Sequence, residues 1–275
     1  MSSLNPDFSG ETVVVTGGSS GIGRAVALAF GEAGATVLNV DVRVDPKDAD
    51  AEMPTHEAIR ESGGTASYAE CDVADPDQLD AVIEAAREVG GADGHDPSAR
   101  ETSSSGVDVM INNAGFYTKR RFRDVTPAEF ERVHGVNARG AFFGTQKAAN
   151  DMIERGEPGV VINTASDTQG RAAWDHSHYA ATKGAIRMIT RSAALELAGE
   201  GVRVNAVAPG PVATEIREGW KEEAQEMGPT GETPDLPLRA AMPAELPGAY
   251  LYLASDDASY VTGETVWVDG GGHVC

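Results

Sequence analysis

The sequence predicts an α/β fold, a parallel sheet flanked by helices within a single domain. Short β-branched runs alternate with longer stretches of helical character along the chain, the pattern of strands joined by helical crossovers. The first run, Glu11-Thr12-Val13-Val14-Val15-Thr16, feeds directly into a glycine-rich turn, and such a continuous run suits a strand buried on both faces. At 275 residues the chain is long enough for one large core, and no shift in composition divides it.

Charge narrows the function classes. Lys and Arg number 22 against 43 Asp and Glu, a formal net charge of −21, which repels nucleic acid and anionic membrane. Such a balance favours a salt-rich cytoplasm in which counterions screen an acidic shell, so a halophilic source is expected. No apolar run has membrane-spanning length and no basic-then-apolar start marks a leader, so the expected location is cytoplasmic. Cys71 and Cys275 cannot form a disulfide framework, and nothing near either suggests an activating base. No metal-ligand set is predicted.

The first turn reads Gly17-Gly18-Ser19-Ser20-Gly21-Ile22-Gly23, with a helix from about Gly21 to Gly34. Glycines here let backbone approach a pyrophosphate, whose charge is met by amides at the helix N-terminus. A merely structural turn is the alternative, and the strand before it and helix after it argue against that. The second strand, 35–40, ends in Asp41, about twenty residues beyond the glycines. Further along, Tyr179-Ala180-Ala181-Thr182-Lys183 puts a phenol and an ammonium four residues apart in a helical run, on one face. A lysine held near a tyrosine stabilises the phenolate and lowers its pKa, making it a general acid/base. An ordinary exposed Tyr and Lys is the alternative, and only the accompanying motifs defeat it.

Those motifs are the T-G-x-x-x-G-x-G spacing at Thr16, Asn112-Asn113-Ala114-Gly115 after the strand at 107–111, Ser166 thirteen residues before Tyr179, and Pro209-Gly210-Pro211-Val212-Ala213-Thr214 after the strand at 202–208. In this order they resemble the short-chain dehydrogenase/reductase family, over residues 9–271. The resemblance implies a doubly wound, Rossmann-like sheet of seven parallel strands in the order 3-2-1-4-5-6-7. It implies NAD, with NADP less favoured: a carboxylate at Asp41, with Val42 beside it, accepts both adenosine ribose hydroxyls and repels a 2′-phosphate, and Ser20 is neutral where NADP-preferring relatives often carry a base. Arg43 lies close by.

By the same resemblance, Gly17, Ser19, Ser20, Gly21, Ile22 and Gly23 hold the pyrophosphate, and Asp72 and Val73 border the adenine. For Asp72 the competing role is to cap the helix at 77–89, although Asp75 with Pro76 is better placed. Asn113, Ala114 and Gly115 lie against the cofactor. Pro209 and Gly210 belong to the cofactor-binding P-G box, in which the backbone at Val212 meets the nicotinamide carboxamide and Thr214 helps hold the cofactor's central part. Tyr179 transfers the proton, Lys183 lowers its pKa and grips the nicotinamide ribose, Ser166 aligns the substrate oxygen, and Asn137, in a long helix kinked near Gly135, holds a water in the proton relay.

Two stretches depart from the repeated pattern. Residues 90–106 form a Gly/Ser/Asp-rich insertion, longer than the family allows and expected as a surface loop carrying a solvated His95. Residues 211–247 are charged and Gly/Pro-rich, and are expected to form a lid. The loop 167–178 joins two catalytic elements, so Thr168, Trp174 and His176 are candidates for contacting a polyol or sugar; alternatively the histidines cap the following helix and face water.

The expected reaction interconverts a secondary alcohol, of a sugar, sugar acid or polyol, and its carbonyl. Reduction of a 3-oxoacyl thioester or small ketone is the alternative. A non-catalytic NAD-binding protein and an epimerase or dehydratase with tightly held NAD are the more distant rivals. Relatives pair two long helices, so a homodimer or homotetramer is expected.

Overall fold

Seven strands form one parallel sheet in the order β3-β2-β1-β4-β5-β6-β7. The strands are β1 (Thr12–Thr16), β2 (Thr36–Asp41), β3 (Thr65–Glu70), β4 (Val109–Asn112), β5 (Gly159–Thr164), β6 (Val202–Pro209) and β7 (Thr265–Val268). The helices are α1 (Gly21–Glu32), α2 (Thr55–Glu61), α3 (Pro76–Ala92), α4 (Pro127–His134), α5 (Gly140–Arg155), α6 (Ser177–Leu197), α7 (Trp220–Glu226) and α8 (Pro247–Ala254). This computed structural model describes residues 6–48, 51–92, 105–217, 219–226 and 239–274. Most of the 90–106 insertion, including His95, part of the 211–247 segment, and Cys275 lie outside the described residues. No helix among those described is long and apolar enough to cross a membrane.

Strand alternation splits the core into two layers. Val13, Val15, Ile111 and Ile162 face one side with Val26, Phe30, Tyr250 and Leu253 of α1 and α8. Val14, Met110 and Val161 face the other with Leu79, Val82, Ala148 and Met152 of α3 and α5. Both faces of β1 and β4 are therefore covered, which explains why their sequences show no polar alternation. The cysteine in this core, Cys71, is buried with its thiol pushed up to about 11 by burial, so it stays protonated.

Two local features differ from expectation. Helix α3 runs on through Gly90 to Ala92, past the predicted end at 89; a Cβ at Gly90 would come within 2.6 Å of Thr12 Oγ1, so glycine here serves close packing on β1 rather than a turn. The predicted kink near Gly135 is a π-helical turn, Gly135–Arg139, between α4 and α5.

A buried amide ladder then fixes the helices over the sheet. Asn112 Nδ2 donates to Asn163 Oδ1 at 2.9 Å and Thr145 Oγ1 at 3.1 Å, and Asn163 Nδ2 donates to Thr190 Oγ1 at 3.0 Å. Adjacent strands are thereby tied to α5 and α6. With buried polar groups satisfied in a low-dielectric interior, such a network sets orientation more strictly than apolar contact alone.

Candidate active site

The C-terminal ends of β1, β4 and β5 are drawn together by side chains. Thr16 Oγ1 accepts from the amides of Asn113 (3.0 Å) and Ala114 (3.1 Å), and Asn113 Nδ2 donates to the carbonyl of Thr16 at 3.0 Å. Gly17 lies directly on this junction with φ +65°, and a Cβ there would sit 2.8 Å from Ala114 Cα. Only glycine combines that backbone angle with that approach. Gly21, at φ +55°, faces Thr214, whose Cγ2 would be 3.2 Å from an added Cβ. The turn 17–23, the segment 113–115 and the segment 209–214 thus form one cradle.

Around it, the amide of Ser19 donates to Asp41 Oδ2 at 3.2 Å, and burial raises the Asp41 carboxyl above its ordinary value. Val42 lies exposed at the rim. Asp72 Oδ1 accepts from the Ala74 amide at 2.9 Å, while Asp75 accepts from the Asp77 amide at the start of α3, the division of labour the sequence favours. The Val73 side chain is buried, where a Cβ at Gly140 would meet it at 2.9 Å. The carbonyl of Val212 accepts from Trp220 Nε1 at 2.8 Å, and a backbone bridge ties Val212 to Ala241, so α7 is anchored on the 209–214 segment.

Ser166, Tyr179 and Lys183 meet at one wall of this cradle. Helix α6 carries Tyr179 and Lys183 a turn apart, and Lys183 Nζ donates to the carbonyl of Thr164 at 2.7 Å. The ammonium nitrogen lies 5.5 Å from the centre of the Tyr179 ring. Burial pushes the Tyr179 phenol well up, with the Ser166 hydroxyl bonded to it acting in the opposite sense. Burial also pushes the Lys183 amine down to about 7. In this state desolvation is the larger effect on both groups and favours the neutral form of each.

Asn137 sits in the π turn, 1% exposed. Its Nδ2 donates to the Phe116 carbonyl (2.9 Å) and Thr182 Oγ1 (3.1 Å), and its Oδ1 accepts from the Phe116 amide at 2.7 Å. The whole side-chain amide is spent bracing the segment after Gly115 against α6.

The loop after Ser166 divides the three expected substrate contacts. Thr168 Oγ1 donates to Ser166 Oγ at 3.1 Å. His176 Nε2 lies 2.5 Å from the Tyr117 hydroxyl, and the Tyr117 ring stands edge-on to Tyr179 at 5.1 Å. Trp174 is 91% exposed and stands away from this cluster, on the rim.

The family model described as Enoyl-(Acyl carrier protein) reductase matches residues 17–273. The chain belongs to the short-chain dehydrogenase/reductase family. It is 36% identical over 267 residues to glucose 1-dehydrogenase 2 of Bacillus subtilis, covering 96% of this chain and 95% of that one. It is 37% identical over 266 residues to 3beta-hydroxysteroid dehydrogenase 1 of Eggerthella lenta, covering 96% and 94%. A crystal structure of a short-chain type dehydrogenase/reductase from Mycobacterium marinum superposes with a TM-score of 0.82 at 35% identity, covering 98% of this chain and 97% of the other. This protein is thus an oxidoreductase acting on CH–OH groups.

Short-chain dehydrogenases use a nicotinamide dinucleotide, and the residues here fit one: a glycine cradle that a Cβ would fill, a helix N-terminus behind it, and a carboxylate at the end of β2.

Sequence reasoning missed three residues of this short-chain dehydrogenase's site. Asp167, 7% exposed, accepts from Ser166 Oγ at 3.0 Å and pairs with Arg171 at 2.5 Å. Tyr117 forms the wall beside Tyr179. The third is Asp48, whose carboxylate takes the first amide of α1, with Gly21 N donating to its two oxygens at 3.0 and 3.2 Å. Burial and a bond from carboxyl to carboxylate with Glu215 raise Asp48 to about 6, while Glu215 is held ionised by Asp48 and by Lys221 at 2.8 Å. As pH rises through about 6 Asp48 gains a charge at the first amide of α1, where the sequence leads one to expect a pyrophosphate. Asp48→Asn is expected to tighten NADH binding at pH 8 by roughly two- to fivefold, the scale of a partly exposed charge interaction. It should also flatten the gain the wild type shows as pH falls through 6. Fluorescence titration with NADH at pH 5.5 and 8 reads both effects.

Proposed function

We propose that this protein oxidises a secondary alcohol of a sugar, sugar acid or polyol with NAD, reversibly, using Tyr179 as the general acid/base. The observation that carries the reading is the convergence of Ser166, Tyr179 and Lys183 at the end of β5, beside the glycine cradle. The name of the Bacillus subtilis relative, a glucose dehydrogenase, supports the substrate class.

Asp41 would hold the adenosine ribose, the α1 amides the pyrophosphate, Thr214 the cofactor's central part, Val212 the nicotinamide carboxamide, and Lys183 the nicotinamide ribose. When bound, the nicotinamide supplies the acceptor for the two electrons and the hydrogen leaving the carbinol carbon. The proton is the protein's task. In reduction, a neutral Tyr179 phenol donates to the carbonyl oxygen. In oxidation, Tyr179 must accept, and the base is the Tyr179–Lys183 pair after losing one proton. The first proton the pair loses is that of Lys183, near pH 7, so that ionisation is the activating one. Ser166, its hydroxyl directed by Asp167 and Thr168, aligns the substrate oxygen. Asn137 contributes by fixing the segment after Gly115 against α6, beside the place where the relay's water would be held.

We also infer a lid over this site in 211–217 and α7, a salt-rich habitat from the charge of −21, and assembly through α5 and α6, where Phe142, Met188 and Leu195 stand exposed. The test is NADH formation with a panel of aldoses, sugar acids, polyols and secondary alcohols, with NAD and NADP in parallel and with and without molar potassium chloride. Turnover of a sugar-class alcohol, faster with NAD and in salt, is the expected result. Turnover only of a 3-oxoacyl thioester, or NADP preference, counts against it.

A further inference from the structure

Four of the chain's 22 lysines and arginines fall within five positions, Lys119-Arg120-Arg121-Phe122-Arg123, in a protein of net charge −21. Arg120 is neutralised by Glu129 at 2.7 Å. Arg123 has only a 3.8 Å contact with Asp124, both side chains mostly exposed. Arg121 has no ion pair among the described residues.

These arginines line an open cleft of about 880 Å³, with Arg121, Phe122 and Arg123 facing Ala173, Trp174 and Asp175. Asp175 is the single acid against two guanidiniums, so the cleft is net positive. Phe122 and Trp174 leave 84% and 91% of their surface in water. Large rings held out beside one unpaired and one loosely paired arginine mark a surface suited to a ligand with both an anionic end and hydrocarbon faces.

The cleft is joined to the reaction site. The amide of Arg120 donates to the Asp175 carbonyl at 2.8 Å, and Thr118 Oγ1 lies 2.7 Å from His178 Nε2. With Tyr117 bonded to His176, these contacts run the segment 117–120 alongside 175–178 as one wall. Tyr117 touches Tyr179 at 5.1 Å, and the four residues from Tyr117 to Arg121 span at most about 14 Å. The arginines and the phenol therefore belong to one wall, and a ligand held by the first reaches the second by following it.

We propose that this cleft binds the carboxylate or phosphate of an anionic substrate whose secondary alcohol reaches Tyr179, so that the enzyme acts on sugar acids or sugar phosphates in preference to neutral polyols. This rests on the alcohol-oxidoreductase reading above. An acidic shell repels such a substrate at long range, and a local pair of guanidinium forks, matched to carboxylate and phosphate, reverses that at the mouth of the site.

The test uses D-gluconate, 6-phospho-D-gluconate and neutral D-glucitol as probes, titrated calorimetrically into the wild type and an Arg121→Gln/Arg123→Gln double variant, with kcat/KM measured for the same three with NAD. The wild type is expected to bind at least one anion more tightly than glucitol. The double variant should weaken that binding about tenfold or more, the scale of hydrogen bonds to charged groups, and cut the ratio of anionic to neutral kcat/KM by a similar factor. Stronger binding of gluconate identifies a carboxylate site, and stronger binding of phosphogluconate a phosphate site. Anion binding that is absent, or equal in both proteins, overturns the proposal, and turnover of glucitol in that case leaves the oxidoreductase reading standing. Binding that depends on the arginines without turnover of any probe upholds the cleft and counts instead against the sugar-alcohol reading.

Discussion

Replacing Tyr179 with phenylalanine is expected to lower kcat by about 10²–10⁴-fold, the contribution of a positioned general acid/base, while NADH binds as before. The ring stays, so the edge-on contact with Tyr117 and the packing of α6 are retained and only the hydroxyl is lost. Tyr179 is half-buried and its hydroxyl is bonded to Ser166, so removal of that hydroxyl should change thermal stability little. Steady-state kinetics with a turned-over alcohol, beside NADH fluorescence titration and a melting curve, separate the three effects. Loss of binding along with turnover would make Tyr179 a structural residue instead.

Lys183→Met is the second large effect, and its signature is in pH. With the wild type, oxidation should rise with pH through about 7 and level off as the Tyr179–Lys183 pair loses one proton. In the variant the desolvated phenol must ionise alone, so activity should appear only well above the ordinary tyrosine range of about 10. Stability shifts in the opposite direction. The folded-state value of Lys183, about 7 against an ordinary 10.5, means that the unfolded chain holds more protons between those values. Stability from this group therefore rises with pH from 7 to 10.5 and is absent below 7. The methionine variant should accordingly melt higher than the wild type at pH 6, with the advantage shrinking toward pH 10.5. The shift of 10.5 to about 7 sets a ceiling of about 5 kcal/mol, reduced because the Thr164 carbonyl loses its donor. A variant with an unchanged pH profile would remove Lys183 from the proton chemistry.

Elements governed by local pattern were legible in the sequence. The β-branched runs, the glycine turn, Asn112 to Gly115 and the helix carrying Tyr179 and Lys183 all lie where their composition places them, because strand burial and helix periodicity are short-range signals. The kink near Gly135 was visible, but not its π register, which depends on Asn137 reaching Phe116 and Thr182 across the fold. Tyr117 and Asp48 were missed for the same reason: each acts on a partner distant in sequence, His176 or Gly21, and no spacing rule connects them. Asp167 adjoins Ser166 and was open to reading, since a carboxylate next to a hydroxyl can direct it. The pKa balance of Tyr179 and Lys183 escaped because motif spacing reports adjacency while desolvation, the larger effect here, is a property of the assembled core. The basic run at 119–123 was present in the letters, and its meaning came only with Trp174 opposite it.

The account's central claim is tested most directly by following the hydrogen on the carbinol carbon. The enzyme is given NAD and a turned-over sugar-class alcohol deuterated at that carbon, in ordinary water, and the nucleotide product is recovered for mass spectrometry. Deuterium retained in the reduced nucleotide by the wild type, with none formed by the Tyr179→Phe variant on the same timescale, is the predicted result. Alcohol consumed without labelled reduced nucleotide, or equal label transfer by the phenylalanine variant, would contradict it.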